Sequence, residues 1–338
     1  MRILVTGGSG FIGAHSARAL AEAGHALRFL VRNPERLART VGVLAVPFDD
    51  VVVGDVTDEG SVRRGFEGCD AVLHAAGVVA TGQADGGEMA TTNVWGTRTV
   101  LGVAAELGLD PIVHVSSGSA LYPTSEPRVG PDSPVVEGLG PYGESKARSE
   151  RFARELQARG APVVCTYPVM VLGPPAGDRH GEASGALPLL LRHRMVTDVG
   201  HWACSDVRDL AAVHAALMTP GAGPRRYTCG GHFLSTGQAV ALLEEATGYT
   251  IRRVPMPVGA MVALGGFSEL VHRVAGRATP FTHDAMVYLT RAVPFDDRRT
   301  VDELGVTFRD PLETIRATVR GLCETGAITP AQAGRAAP

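Results

Sequence analysis

Apolar residues in this chain follow two alternating patterns. Short unbroken runs, RILVT (2–6), ALRFLV (26–31), VVVGD (51–55), AVLHAAG (71–77), PIVHVSS (111–117) and PVVCTYP (162–168), have the length of single strands, and several are apolar on both faces. Between them apolar positions recur every three or four residues. This holds from Phe11 to Ala23 with Gly24 as a stop, and over 58–68, 93–108 and Tyr142 to about Arg159. A further helix starts at NPER, where Asn33 can cap and Pro34 suits the first helical position. Strand and helix alternating through short connections predict an α/β protein on a doubly wound parallel sheet.

The rhythm breaks after Pro168. Residues 172–200 are rich in Pro and Gly, 205–218 read as an amphipathic helix, and 224–330 mix short strands and helices. The pattern divides the chain into a dinucleotide-binding domain over 1–168, onto which 201–222 packs back, and a smaller C-terminal α/β lobe over 169–330. That lobe is expected to close over the sheet's C-terminal edge and to bind substrate.

Composition narrows the function. A hydrophobic fraction of 45% in 338 residues is ample for a core, and 20% charged residues with a net charge of −3 give no attraction to nucleic acid or anionic membrane. The five cysteines are scattered without a C-x-x-C, so neither a disulfide framework nor a thiolate metal site is expected. Residues 1–7 run straight into a strand and a glycine loop rather than a signal peptide, and the longest apolar run, near Val258 to Gly266, is too short for a bilayer. The expectation is a cytoplasmic protein without membrane insertion. The RAAP tail is expected to be disordered.

The loop GGSGFIG follows the first strand at once. Gly7, Gly10, Phe11, Ile12 and Gly13 occupy the first strand-to-helix turn, where glycines permit a tight turn and close approach of a pyrophosphate to a helix N-terminus. Placed there, the pattern predicts a Rossmann-type dinucleotide site. An NAD site usually carries an acid at the end of the second strand; here the strand ends LVRN, with Arg32 there and Arg36 one helical turn on. Guanidinium groups suit a 2′-phosphate, which favours NADP(H), with NAD and a merely solvated arginine as the alternatives. Asp55 and Val56 end the third strand, Asp55 in reach of adenine. Ala75, Ala76 and Gly77, after the fourth strand, are small enough for backbone to approach the cofactor.

PYGESKARSE (141–150) holds the chain's only lysine, Lys146, four residues after Tyr142 near a helix start. That spacing puts both side chains on one face. A free phenol ionises near ~10, and an adjacent ammonium favours the phenolate, so the pair suits proton exchange. HVSSGS supplies Ser116, Ser117 and Ser119 at the end of the preceding strand. Ser117, just past the strand end, is the residue chosen to hold a substrate oxygen against Tyr142, with a plain turn as the alternative. His74 and His114, on neighbouring strands, read as buried and satisfied rather than catalytic. The arginines of LRHRM (191–195) are as consistent with a solvated turn as with a diphosphate site.

TGGSGFIG, HAAG, NVWGT, VSS, YGESK, YPVMVLGP, DVRDLA and ELGVTFRDPLETI, in this order, resemble the extended short-chain dehydrogenase/reductase (NAD-dependent epimerase/dehydratase) family. LVRNPERL is similar to its dihydroflavonol-reductase-like branch. The resemblance implies Tyr142 as proton donor or acceptor, Lys146 as its partner and ribose ligand, and Ser117 as substrate-oxygen donor. It also implies Pro168 and Val171 flanking the nicotinamide, Asn93 bracing the site, and a homodimer through helices near 91–107 and 142–159. Two departures stand out: Tyr167 replaces an arginine common before Pro168, and LYP follows the serines one residue late, which leaves Gly118 as an alternative for the serine column. The expected function is interconversion of a ketone or aldehyde with an alcohol by hydride transfer. The alternatives are an NAD-dependent nucleotide-sugar epimerase, a hydroxysteroid-dehydrogenase-like enzyme, and a non-catalytic NADP-sensing scaffold. Substrate choice falls to loops 79–90, 118–140 and 172–200, which carry no readable code.

Overall fold

The computed structural model describes residues 1–79, 86–274 and 282–338. Its main sheet has seven parallel strands in the order β10-β6-β5-β4-β1-β2-β3. These are β1 (Arg2–Thr6), β2 (Ala26–Val31), β3 (Val51–Val53), β4 (Ala71–His74), β5 (Ile112–Val115) and β6 (Val163–Pro168), with β10 (Arg225–Cys229) on the far edge. The order reverses between β1 and β4, which opens a crevice at the carboxyl ends of the strands. Beyond β6 the chain leaves the sheet: β7 (Met170–Leu172) pairs with β9 (His201–Asp206), which pairs with β11 (His232–Ser235), while β8 (Met195–Thr197) pairs with β12 (Arg252–Val254).

Strand alternation builds a core on each face. Ile3, Val5, Phe29 and Leu73 point to one side, where α1 (Phe11–Glu22), α2 (Pro34–Gly42) and α8 (Val207–Ala216) cover them. Leu4, Leu30, Val72 and Ile112 point to the other, under α3 (Glu59–Phe66), α5 (Gly96–Glu106) and α6 (Gly140–Ala158). The short α4 (Gly86–Met89) enters α5 through a π-helical turn at Ala90–Trp95. Asn33 caps α2 by accepting the Arg36 N–H, and Pro34 holds its first position, as the sequence pattern requires.

The second half contributes α7 (Leu187–His193), α9 (Thr236–Thr247), α10 (Val258–Val274), α11 (His283–Thr290), α12 (Arg298–Leu304) and α13 (Pro311–Glu324). Leu187, Leu191, Trp202, Leu243, Ile315 and Val319 form a third core there. Two expectations are corrected. Stretch 172–200 is not only loop, because α7 and β8 lie within it. The tail is ordered, because Ala333 and Ala336 are buried in that third core and so offset the entropy of fixing a terminus.

Candidate active site

The glycine loop is shaped by close backbone approach. Gly7 has φ +76°, and a Cβ there would lie 2.5 Å from the Ala75 carbonyl carbon, while a Cβ on Gly13 would overlap the Gly7 carbonyl oxygen. Gly10 donates its N–H to Gly7 O at 2.9 Å and starts α1, whose first turn has no side-chain cap and no acidic residue. The amides of that turn therefore face the crevice as ready anion donors, a cradle that fits a dinucleotide pyrophosphate. Phe11 is buried and Ile12 partly so, packing α1 beneath the loop.

Around this cradle, Ala75 N–H donates to Thr6 O at 3.1 Å and Ala76 N–H reaches Thr6 Oγ1 at 3.4 Å, which ties the end of β4 to that of β1. A Cβ on Gly77 would lie 3.3 Å from Asn93 Oδ1 and 3.5 Å from Lys146 Nζ. The Asn93 amide is itself engaged, accepting from Val78 N–H at 2.7 Å and donating to Val78 O and to Ser145 Oγ, both at 2.9 Å. Its geometry is that of a brace between the loop after β4 and α6. Val171 and Pro168 are buried at the start of the second half, and Val56 packs against Gly96 at the start of α5.

At the end of β2, Arg32 is largely exposed and lies 3.8 Å from Asp55, a solvent-screened pair that leaves the guanidinium free to turn. Asp55 Oδ1 accepts from Thr57 N–H and Oγ1, so that oxygen serves the local turn. Arg36 has a buried Nε with no hydrogen-bond partner among the described residues.

Ser117, Tyr142 and Lys146 converge at the carboxyl edge of β5. Tyr142 lies in the first turn of α6, and Lys146, one turn on, has its Nζ 6.0 Å from the Tyr142 ring centre and 3.4 Å from Val115 O. Ser117 caps a short 3-10 turn and accepts from Ser119 N–H at 3.2 Å and Ser119 Oγ at 2.9 Å. Both hydroxyls favour the ionised form of the Tyr142 phenol. The lowered phenol pKa expected beside Lys146 is not what the protein alone produces. Burial pushes Tyr142 up, and the Ser117 and Ser119 hydroxyls only partly oppose that, with Glu182 adding to it. Burial also brings Lys146 down to about 8, with Glu150 acting against it.

Beneath the site, Glu150 is fully buried. It accepts from Ser116 Oγ at 2.8 Å, Arg154 Nε at 2.8 Å and Tyr167 Oη at 2.6 Å. Tyr167, the departure noted in the sequence, thus joins a network whose cation comes from Arg154 on α6. His74 and His114 stack at 5.6 Å. His74 is satisfied by Thr6 Oγ1 at 2.8 Å and Thr97 Oγ1 at 3.1 Å, but neither ring nitrogen of His114 has a partner among the described residues, so only His74 fits the satisfied reading.

Two neighbours of Tyr142 lie outside the residues that the sequence singles out. Tyr288, on α11, buries its hydroxyl against Gly143, and Glu182 lies in the segment after β7. The trace of Tyr288 in the sequence is indirect: Gly140 and Gly143 are small because Asp284 and Tyr288 fill the space a Cβ would take. Of loop 79–90, residues 80–85 lie outside the described residues.

The profile of the NAD dependent epimerase/dehydratase family matches residues 3–230. "Sterol demethylase protein B" of Methylococcus capsulatus is 31% identical over 316 residues, covering 90% of this chain and 93% of that protein. The "4-hydroxy-2-methyl-3-oxo-4-farnesyl-3,4-dihydroquinoline-1-oxide ketoreductase" of Stigmatella aurantiaca is 28% identical, covering 94% and 96%. Among solved structures, UDP-glucose 4-epimerase from Bifidobacterium longum in complex with NAD+ and UDP superposes with a TM-score of 0.72 at 20% identity, covering 98% of this chain and 100% of that one. The seven-stranded sheet, the glycine cradle and these matches agree: the chain is an NAD(P)-dependent oxidoreductase-type enzyme and belongs to the NAD dependent epimerase/dehydratase family.

Proposed function

We propose that the enzyme interconverts a ketone or aldehyde with an alcohol, using NADP(H). The observation that carries this reading is the gathering of Ser117, Tyr142 and Lys146 at the carboxyl end of β5, with Lys146 also beside Gly77, on the sheet edge that bears the glycine cradle. The similarity to a protein named as a ketoreductase points the same way.

The residues divide the work by position. Gly7, Gly10 and Gly13 let the first turn of α1 hold the pyrophosphate, while Arg32 and Arg36 hold the 2′-phosphate. Ala75, Ala76, Gly77, Pro168 and Val171 wall the nicotinamide, and Lys146 takes the ribose hydroxyls. Bound cofactor supplies or accepts a hydride at the substrate carbon. Ser117 holds the substrate oxygen, its own lone pairs already engaged by Ser119, so that its proton is left to donate. Tyr142, kept protonated at neutral pH by burial, gives its proton to that oxygen in reduction and takes it back in oxidation.

Replacing Tyr142 by Phe removes the proton and leaves the cradle intact. Following NADPH oxidation against aldehydes, ketosteroids, flavonoid ketones and nucleotide sugars should show turnover lost with NADPH affinity nearly unchanged. Undiminished turnover would take Tyr142 out of the mechanism. Activity without net NADPH consumption would favour epimerisation.

A further inference from the structure

Two arginines from distant parts of the chain come to the same flank of α2, with one exposed carboxylate, Asp178, beside them. Arg36 comes from the first turn of α2 and Arg179 from the segment after β7, and the Nε of each is buried with no hydrogen-bond partner among the described residues. Arg179 is held there by backbone. Ala176 and Arg179 exchange N–H to carbonyl bonds at 2.9 and 3.0 Å, closing a turn whose Gly177 has φ +62°. That glycine presses on α2, since a Cβ on it would lie 2.7 Å from Arg39 O.

The same segment is stitched to the cofactor cradle. Pro174 O lies 2.9 Å from His15 Nε2 on α1, and Gly181 packs against the Phe11 ring. The segment therefore runs from α1 to the flank of α2 at Gly177 and back to Phe11 at the start of α1. Nearby charge is mostly one sign. Burial holds Arg36 below its ordinary value and Arg179 adds to that; Asp178 opposes them, and Arg32 and Arg39 push the same way as Arg179. Asp178 lies 3.4 Å from Arg179 Nε without an aligned bond, and it is exposed. Both side chains stay partly exposed, but like charges held side by side repel, and an anion placed among them relieves that repulsion.

We propose that Arg179 is a specificity-determining residue that closes on the 2′-phosphate of NADP(H) from the side opposite Arg32 and Arg36. The position is that of the adenosine ribose, beside the glycine loop at the end of β2, and a phosphate monoester is a small dianion able to accept from several guanidinium N–H groups at once. Cofactor choice is then shared between α2 and a segment of the second half, rather than confined to the β2–α2 corner. This inference rests on the NADP(H) reading of the site.

Binding of NADPH, NADH and adenosine 2′,5′-bisphosphate, measured by fluorescence and calorimetry, tests it without any substrate. Arg179→Ala should weaken NADPH and the bisphosphate about tenfold or more while NADH changes less than about twofold, as expected for loss of a charge-assisted contact. Arg179→Gln, which keeps most of the side-chain stem, should behave the same and guards against misfolding of the alanine variant. If Arg36→Ala loses NADPH selectively and neither Arg179 variant does, the inference falls and the NADP(H) reading stands. Equal losses for NADPH and NADH also overturn it, because Arg179 would then serve the fold or the pyrophosphate. A wild type that binds NADH as well as NADPH and ignores the bisphosphate removes both.

Discussion

Lys146 is the group through which pH should act on cofactor capture. Burial lowers its pKa to about 8, against the pull of Glu150, while burial raises that of Tyr142. Tyr142 therefore stays protonated while Lys146 loses its charge. A group with a pKa of about 8 is ~90% charged at pH ~7 and ~10% charged at pH ~9, so affinity that depends on the ammonium falls about tenfold over that interval. NADPH titrated by fluorescence at constant ionic strength, from about pH 7 upwards, stays above the second ionisation of a phosphate monoester near ~6, which keeps the 2′-phosphate from confusing the result. One inflection near 8 is expected. Lys146→Met should flatten the profile, and Glu150→Gln should move the inflection to lower pH, because the carboxylate that favours the charged form is gone. Binding that is flat to about pH 9.5, or an inflection at the ordinary lysine value, would show that burial does not set the charge of Lys146.

Two further outcomes follow from packing. His74 and His214 are held neutral by burial at about 3 and His15 at about 4, against 6.5 for an ordinary histidine. The unfolded chain takes up these protons first, so stability should fall as pH drops below about 6.5, by about 2 kcal/mol for each histidine near pH ~5. Asp209 and Asp297, whose carboxyls burial pushes up, act in the opposite direction. Denaturant titrations of His214→Gln isolate one group, and its pH slope should be shallower than the wild type's by about 1.4 kcal/mol per unit; identical slopes would refute the assignment. Gly13→Ala should weaken NADPH and NADH alike, by about tenfold or more, with helix content retained by circular dichroism, because the new Cβ overlaps Gly7 O in the cradle. Unchanged affinity would mean that the cradle does not hold the pyrophosphate.

The sheet was legible from the chain because its strands are buried on both faces and its helices on one, so the hydrophobic period alone separates them. The glycine loop and the Tyr142–Lys146 spacing were legible for a similar reason: each is local, and backbone geometry over a few residues fixes what they present. Glu150, Tyr167 and Arg154 also lie close in sequence, yet only the packing of α6 on β6 joins them, through a carboxylate that excluded water would otherwise penalise.

Tertiary structure alone decided the rest. Whether Lys146 and Tyr142 are raised or lowered depends on how much water the fold removes, and burial is the largest influence on each. Tyr288 reaches Gly143 from α11, and the segment after β7 brings the Arg179 charge to bear on Arg36. Neither leaves a periodic or spaced signal, because contacts between distant segments are fixed by chain closure. The sequence by itself determined the scaffold and the chemistry carried on it; which side chains lose their water, and which distant charges meet, was decided when the second half folded back over the sheet.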